Sequence, residues 1–301
     1  AVTLTSLLVN LSSRLPVRIF ILNRGLSNET KQHLTRVIMR RRQNVDLIFT
    51  SVSAGLLSSY SSIGHLTVDS MLRLLVPDLL PPDIERALYL DSDLCVLKDI
   101  TPLWQFDESR FPACASIDSI VRVVSHESGL RNYKELDIPG NSPYFNAGVL
   151  LMNLRKWGEG QIGGACLEYV KHHECKFLDQ DAINAVLAGR IGALPMTWNA
   201  IVNHLKYYSR WPEDELKRAI APELHDLRRS PAICHFAGRF KPWIPGFQIP
   251  FIGRWIYYLW RSRWFSIGEM ILWTAKWGAL HGSILLKRKV IGPLFGSKPA
   301  R

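Results

Sequence analysis

Two carboxylates stand two residues apart at the end of an apolar run, Ala87-Leu88-Tyr89-Leu90-Asp91-Ser92-Asp93. On an extended strand a period of two puts Asp91 and Asp93 on one face. Converging carboxylates repel each other unless a cation sits between them. Hard oxygen donors favour Mg2+ or Mn2+, whose usual partners are diphosphate oxygens. The plain alternative is a solvated turn after a strand. A second group lies in Ile233-Cys234-His235-Phe236-Ala237-Gly238-Arg239-Phe240-Lys241-Pro242-Trp243. Here a short apolar run delivers an imidazole, then a Gly-containing loop, then a lysine followed by proline. Histidine tilts a carboxylate site from Mg2+ towards Mn2+, and Lys241 offers a point charge for phosphate. A satisfied structural histidine would look the same in sequence.

Two further clusters carry polar side chains. Phe177-Leu178-Asp179-Gln180-Asp181 reads as the opening of a helix through Leu187. Its acidic residues either face a substrate or simply cap the helix and complement its dipole. In Tyr144-Phe145-Asn146-Ala147-Gly148 the small residues would let a ligand approach the backbone. Ordinary strand packing around a buried, hydrogen-bonded Asn146 is the alternative.

The elements that must position these residues alternate in type. Val17–Leu22 reads as a buried strand closed by Asn23-Arg24-Gly25, and Ser27 as the N-cap of a helix over 28–42. Val45–Phe49 and Ala87–Leu90 read as strands, Val68–Leu75 as helical, and Phe111–Ile117 and Phe145–Leu154 as further strands. This alternation predicts an α/β fold with a mainly parallel sheet covered on both faces. Ligands of such sheets sit beyond the carboxyl ends of the strands, where the polar residues above fall.

Composition narrows the classes. With 301 residues, 47% of them hydrophobic and 21% charged, the chain can bury a large core and does not read as disordered. Five cysteines without a C-x-x-C pair argue against a disulfide framework or a zinc knuckle, and fit a reducing compartment. The net charge of +11 is concentrated: residues 244–301 hold nine Lys/Arg and one acidic residue, against 28 and 25 in residues 1–243. The same segment holds Trp255, Trp260, Trp264, Trp273 and Trp277. Pro245, Gly246, Pro250 and Gly253 break the chain before it, so an organisational boundary is placed near 244. No run of 18 apolar residues predicts a spanning helix, and the first residues do not read as a signal peptide. His172-His173-Glu174-Cys175 reads as a polar helix end rather than a ligand set.

Taken in order, the segments ALYLDSDLCVLKDITPLW, YFNAGVLLMNLRKW, FLDQDAINAVL and HFAGRFKPW resemble the retaining glycosyltransferases of family 8, over roughly residues 1–243. That group includes bacterial lipopolysaccharide galactosyl- and glucosyltransferases, and glycogenin. The resemblance implies a Rossmann-like, nucleotide-sugar-binding α/β fold of the glycosyltransferase A type. Asp91 and Asp93 match its D-x-D, which with His235 binds Mn2+ on the donor diphosphate. Ser92 falls within that motif, and Gly238 and Lys241 match a diphosphate-contacting loop. Arg73 matches a donor-site arginine, although Met71 stands where the family usually has an aromatic residue. Asn146 and Asp179 match donor-sugar contacts, and Gln180 the residue beneath the reacting sugar carbon. Asp118 matches a position near the transferred sugar or acceptor. One departure concerns the start: Ala1–Leu8 reads as the helix that follows the family's first strand, so that strand and its base-binding loop have no counterpart here.

The function so implied is retaining transfer of a galactose or glucose from a UDP-sugar to a glycan or lipid-linked saccharide, with Mn2+ or Mg2+ at the diphosphate. Glycogenin-like self-glucosylation and an inactive sugar-nucleotide-fold module serving as a membrane or partner adaptor are the alternatives. Three readings of the basic aromatic tail stay open: a helix in the interface of an anionic membrane, a helix packed on the body, or a nucleic-acid surface. Similar tails attach bacterial members of the family to the inner membrane. The favoured expectation is therefore a cytoplasmic, peripherally membrane-associated enzyme with no nucleic-acid partner.

Overall fold

The structure, a computed structural model, describes residues 1–286 except 13, 43, 63–66, 206–210 and 245–248, with backbone alone for 54 and 279–286. The Pro245-Gly246 break and the last basic stretch, 287–301, lie outside the described residues. Helix α1 (Val2–Asn10) leads to strand β1 (Val17–Asn23), helix α2 (Asn28–Met39) and strand β2 (Val45–Ser51). Two 3-10 helices (Ala54–Leu57 and Val68–Leu75) and α3 (Val76–Leu79) precede β3 (Arg86–Leu90), β4 (Leu94–Val96) and α4 (Thr101–Trp104). Then come β5 (Ala113–Ile117), β6 (Phe145–Asn153), α5 (Leu154–Glu159), α6 (Ile162–His172) and α7 (Asp179–Val186). The chain continues through β7 (Ile191–Ala193), β8 (Ala200–Ile201), α8 (Glu215–Ile220), α9 (Leu224–Arg229) and β9 (Ile233–His235), to α10 (Ile252–Ser262) and α11 (Ile267–Leu286).

Local chemistry explains most of these boundaries. The Ser27 hydroxyl accepts the Thr30 N–H at 3.2 Å, and Glu29 lies in the first turn of α2. That helix ends at Met39, three residues before the expected position. The N–H groups of Arg41 and Arg42 both donate to the Ile38 carbonyl, and the Arg42 guanidinium turns to the Leu15 carbonyl. Residues 68–75 are helical as expected, in 3-10 geometry, and run into α3 with Pro77 in its first turn.

The strands form three sheets: β1-β2, β3-β6-β5-β7 and β4-β9-β8. The expectation of a mainly parallel sheet is corrected at the centre, where β6 runs antiparallel to both β3 and β5. The reason is the excursion over 118–144. It folds back on itself, with the Asp118 N–H donating to the Tyr144 carbonyl at 2.9 Å. The chain therefore re-enters the sheet at the carboxyl end of β5 and must run the other way. This reversal puts the first residues of β6 beside the last residues of β3, with Leu90 opposite Val149 and the Asp91 N–H donating to the Gly148 carbonyl at 2.9 Å.

Eight of the nine β6 residues are buried, and the main core spreads from this strand to Trp157, whose indole N–H donates to the Leu74 carbonyl at 3.2 Å. All five cysteines are buried and unbridged. The C-terminal helices join the same core through Trp255, Tyr258, Leu259 and Met270. The Tyr258 hydroxyl meets the Asn10 amide at 2.6 Å, and Trp264 stacks on His33 at 4.2 Å. Strands β1 and β3 each lack a strand partner on one edge among the described residues.

Candidate functional site

Asp91 and Asp93 lie in the tight turn that joins β3 to β4, not on a continuous strand. Strand alternation is therefore not what makes them converge. β4 pairs with β9, Leu94 opposite His235, and the Phe236 N–H donates to the Asp93 carbonyl at 3.1 Å. This pairing brings the imidazole over the turn: His235 Nε2 is 3.7 Å from Asp91 Oδ2 and 3.4 Å from Asp93 Oδ1. One donor atom from each of the three residues falls within 4.8 Å of the others, and no other such cluster exists among the described residues. His172-His173-Glu174-Cys175 is accordingly not a ligand set. Glu168 meets His172 at 3.1 Å on an exposed helix face.

The imidazole is oriented by a residue that the sequence did not flag. Asn199 is 1% exposed, and its Oδ1 lies 2.8 Å from His235 Nδ1 while its Nδ2 donates to Asn146 Oδ1 at 2.9 Å. With the Asn199 amide nitrogen engaged by Asn146, its oxygen must accept, so His235 Nδ1 carries the proton. Nε2 is the nitrogen that faces the two carboxylates, the position from which the ring would ligate a metal. Gly148 leaves room for the ring: a Cβ there would lie 2.2 Å from His235 Cε1.

Arg73 ties the Asp91 turn to α7. It is 5% exposed, pairs through Nη2 with Asp91 at 2.8 Å and through Nε with Asp179 at 2.9 Å, and donates to the Ala147 carbonyl. Burial works against its charge, but Asp179 and Asp91 outweigh that and bind the proton more tightly than usual. The Tyr89 hydroxyl donates to Asp91 at 2.8 Å, and its ring lies 4.7 Å beneath the guanidinium. Burial pushes the Asp91 carboxyl up, against the pull of Arg73, and the charge on Asp93 adds to the rise. Burial also acts on Asp93, yet His235 and Lys241 together hold its carboxyl well below the usual range. The Lys241 ammonium donates to Asp93 and, at 3.0 Å, to the Phe236 carbonyl. Gly238, at φ +80°, turns the loop between them.

Asp179 and Gln180 open α7 directly after Leu178, whose φ of +45° is unusual for a branched residue and is held by a side chain only 2% exposed. Such strain, of order 1–3 kcal/mol, persists where packing over-determines it. Asp179 also accepts from the Ser70 hydroxyl. Gln180 accepts the Ala147 N–H at 3.1 Å and approaches Asp118 at 3.4 Å. Asp118 accepts the Asn146 amide at 2.9 Å and the N–H groups of Ile120 and Val121 at 2.8 and 3.1 Å. Asp181, the third acid of the cluster, turns away to accept the Tyr144 hydroxyl and the N–H groups of Lys176 and Phe177, so it serves the fold.

Arg73, Asp91, Ser92, Asp93, Asp118, Asn146, Asp179, Gln180, His235, Gly238 and Lys241 all line one cavity of about 1650 Å³. Asp91, Asp93, His235 and Lys241 line one part of it, and Asp118, Asn146, Asp179 and Gln180 another. Ser92 is exposed at the lip. Sequence reasoning missed Asn199, Tyr89 and Ser70. Asn199 and Ser70 belong to no motif, while Tyr89 lies inside an apolar run whose pattern signals only a strand. No described helix is long and apolar enough to cross a membrane.

The chain is 27% identical over 269 residues to General stress protein A of Bacillus subtilis, a match covering 88% of this chain and 89% of that one. It is 26% identical to a Lipopolysaccharide 1,2-glucosyltransferase of Escherichia coli over 57% of this chain, which spans 48% of that protein's length. Among solved structures, galactosyltransferase LgtC in complex with donor and acceptor sugar analogs superposes with a TM-score of 0.69 at 22% identity, over 86% of this chain and 91% of LgtC. The WbbM bifunctional glycosyltransferase gives 0.73 at 21% identity, over 90% of this chain and 48% of WbbM. These likenesses show a glycosyltransferase A fold. With the description "Glycosyl transferase family 8" matching residues 1–245, the chain belongs to that family.

Proposed function

We propose that this glycosyltransferase transfers a hexose, galactose or glucose, from a UDP-sugar to a glycan or lipid-linked saccharide with retention of anomeric configuration. The observation that carries the reading is one cavity in which a preformed Asp91/Asp93/His235 donor set and Lys241 stand close to Asp179, Gln180 and Asp118. Two carboxylates and an imidazole nitrogen facing them suit Mn2+, with Mg2+ the alternative. A bound divalent cation would neutralise the charge developing on the diphosphate leaving group.

The chain's own residues supply the rest. Lys241, paired with Asp93, would place a positive charge beside a donor phosphate. Arg73 fixes Asp91 and Asp179 in one rigid arrangement, holding the two halves of the site in register. Neither Asp179, with Arg73 and Ser70 on its oxygens, nor Gln180, an amide already bonded to Ala147 and close to Asp118, is a free nucleophile. This favours attack by the acceptor hydroxyl on the face the leaving group departs from, through an oxocarbenium-like transition state. Asp179 would orient the sugar and offset its positive charge. Asn146 and Asp118 would contact the transferred sugar or acceptor, and Gly238 and Ser92 the donor.

Membrane attachment of the segment from 244 onward belongs to the same proposal, with a cytoplasmic enzyme meeting lipid-linked acceptors at an anionic surface. It is supported by Trp260, Ile267, Ile271 and Leu272, all at least 60% exposed beside Arg254, Arg261, Arg263 and Lys276. Lipopolysaccharide synthesis is the context suggested by the Escherichia coli relative. A second reading, a sugar-nucleotide-fold adaptor without activity, is favoured by the open edges of β1 and β3 and opposed by the complete donor set. Incubation with UDP-galactose or UDP-glucose, Mn2+ and a saccharide acceptor, followed by NMR of the product, decides. An α-linked product is expected. A β-linked product, or a sugar trapped covalently on Asp179 or Gln180 in mass spectra, refutes the mechanism, and absence of both transfer and donor hydrolysis supports the adaptor.

A further inference from the structure

Two consecutive backbone N–H groups of β6 donate to side chains of the site. The Ala147 N–H bonds Gln180 Oε1 at 3.1 Å, and the Gly148 N–H bonds Asn146 Oδ1 at 3.0 Å. The β5–β6 register shifts between Cys114 and Ser116, opposite this stretch, and a bulge leaves backbone groups free to bond elsewhere. An N–H can only donate, so each one fixes which end of its partner amide is oxygen. Both amide nitrogens then turn to one acceptor, Asp118 Oδ2, at 2.9 Å from Asn146 and 3.4 Å from Gln180. The other Asp118 oxygen is taken by the N–H groups of Ile120 and Val121.

The same constraint passes the other way, towards the imidazole. With Asn146 Oδ1 an acceptor, the Asn199 group 2.9 Å from it must be the amide nitrogen. The Asn199 group 2.8 Å from His235 Nδ1 is then the oxygen. Every bond from the ring to Asp118 therefore donates in one direction: His235 to Asn199, Asn199 to Asn146, Asn146 to Asp118. These four side chains are at most 7% exposed, so water offers no substitute partner and a reversed amide would leave buried groups unpaired. The backbone holds Asn199 in place. It ends the 3-10 turn Met196–Asn199 and precedes β8, whose Ala200 and Ile201 lie opposite Cys234 and His235.

We propose that Asn199 is a positioning residue for both halves of the site at once: its oxygen aims His235 at the cation position, and its nitrogen locks Asn146 at the sugar position. Orienting the imidazole is thus half of its part. An amide NH2 carries two hydrogens, so Asn146 and Gln180 each keep one beyond the bond to Asp118, and both residues line the cavity. Those hydrogens are donors for sugar oxygens, held at a fixed angle by the network. The direction of the chain also matches an occupied cation position. A ring that ligates a cation is a stronger Nδ1–H donor, and the carboxylate of Asp118 is a strong acceptor at the far end. The proposal rests on the cation and sugar positions assigned under the sugar-transfer reading.

Two substitutions separate the halves. Asn199→Asp keeps an acceptor for the Nδ1–H, as in carboxylate–histidine–metal arrangements, and removes the donor to Asn146. Asn199→Leu, similar in shape, removes both. Mn2+ affinity is read by calorimetry, and exchange of the Asn146 and Gln180 side-chain amide protons by NMR on the metal-free chain. Both are measured without sugar nucleotide, so they hold or fail separately from sugar transfer. Asn199→Asp is expected to keep Mn2+ affinity within about threefold of native, or to raise it, while the Asn146 protons exchange about tenfold faster or more. Asn199→Leu is expected to show the same fast exchange and to lose about 10–100-fold in Mn2+ affinity. NMR of the native chain with isotope-labelled histidine must show a proton on His235 Nδ1, a readout that does not depend on either variant folding. A ring protonated on Nε2 alone overturns the proposal. Native Mn2+ affinity in Asn199→Leu also overturns it, because Asn199 then only packs. Unchanged exchange in Asn199→Asp does so too, because Asn146 then holds its place unaided.

Discussion

Replacing Gly148 with alanine adds one methyl group at the point where β6 passes under the imidazole. That Cβ would sit 2.2 Å from His235 Cε1, 2.8 Å from Nδ1 and 3.0 Å from Asp91 Oδ2. Ordinary contact begins at 3.4 Å, so the ring must retreat by about 1.2 Å. It has little room to do so: His235 is 3% exposed, its Nδ1 is held at 2.8 Å by Asn199, and Asn199 is itself 1% exposed. Overpacking of this kind costs about 1–3 kcal/mol of stability. The metal set suffers more, since ligand distances must hold to about 0.2 Å. Loss of a group that aims a ligand typically lowers metal affinity by about 10–100-fold, and with the ring itself displaced the upper end, ~2.7 kcal/mol, is expected. Mn2+ titration by calorimetry on the native chain and Gly148→Ala reads this directly. Gly158→Ala is the control: no atom lies within 4 Å of its added Cβ, it sits in helix α5, and it should gain about 0.5–1 kcal/mol without altering Mn2+ affinity. Mn2+ binding by Gly148→Ala within about threefold of native, against the 10–100-fold expected, would refute placement of the ion on His235.

Other perturbations separate fold from site. Asp181→Ala removes the acceptor for the Tyr144 hydroxyl and two backbone N–H groups and should cost about 3 kcal/mol or more in urea denaturation, while leaving the Mn2+ affinity of the folded protein unchanged. Mn2+ affinity should weaken as pH falls. The Asp91 carboxyl holds its proton to a pH above the ordinary 3.8, protons then compete for that ligand, and the loss begins above 3.8, while Asp93 stays ionised throughout. Affinity that holds level down to pH 3.8 would place the ion elsewhere. The double variant Trp260→Ala/Leu272→Ala should weaken co-sedimentation with vesicles containing anionic lipid by about tenfold or more, since two exposed apolar side chains are lost. Equal binding of the native chain to neutral and anionic vesicles would remove the electrostatic part of that reading.

The sequence spoke most clearly where one short segment carries both element and chemistry. The strand before Asp91, the helix opening at Asp179 and the small residues around Gly148 are each local, and each lands in the cavity. What was not legible depends on contacts far apart in the chain. Asn199 lies 36 residues from His235 and 53 from Asn146 and has no flanking signature, so only the fold reveals that it sets the tautomer of His235. The direction of β6 was hidden because an apolar run reads alike in either direction, and the return of the 118–144 excursion decides it. Asp91 and Asp93 converge through a turn and the β4–β9 pairing, not through the strand alternation that their spacing suggests. Asp181 looked equivalent to Asp179 in sequence, and only the position of Tyr144 shows that it is structural.

The central claim is that Asp91, Asp93 and His235 bind a divalent cation which in turn holds a sugar nucleotide in the 1650 Å³ cavity. Calorimetric titration of UDP-galactose and UDP-glucose into the chain, with Mn2+ and with chelator, tests it most directly. Binding of at least one donor is expected with Mn2+ and not with chelator, and is expected to vanish in Asp93→Asn while Asp181→Asn keeps it. Binding of equal strength with chelator, or unchanged Mn2+-dependent binding in Asp93→Asn, would contradict it.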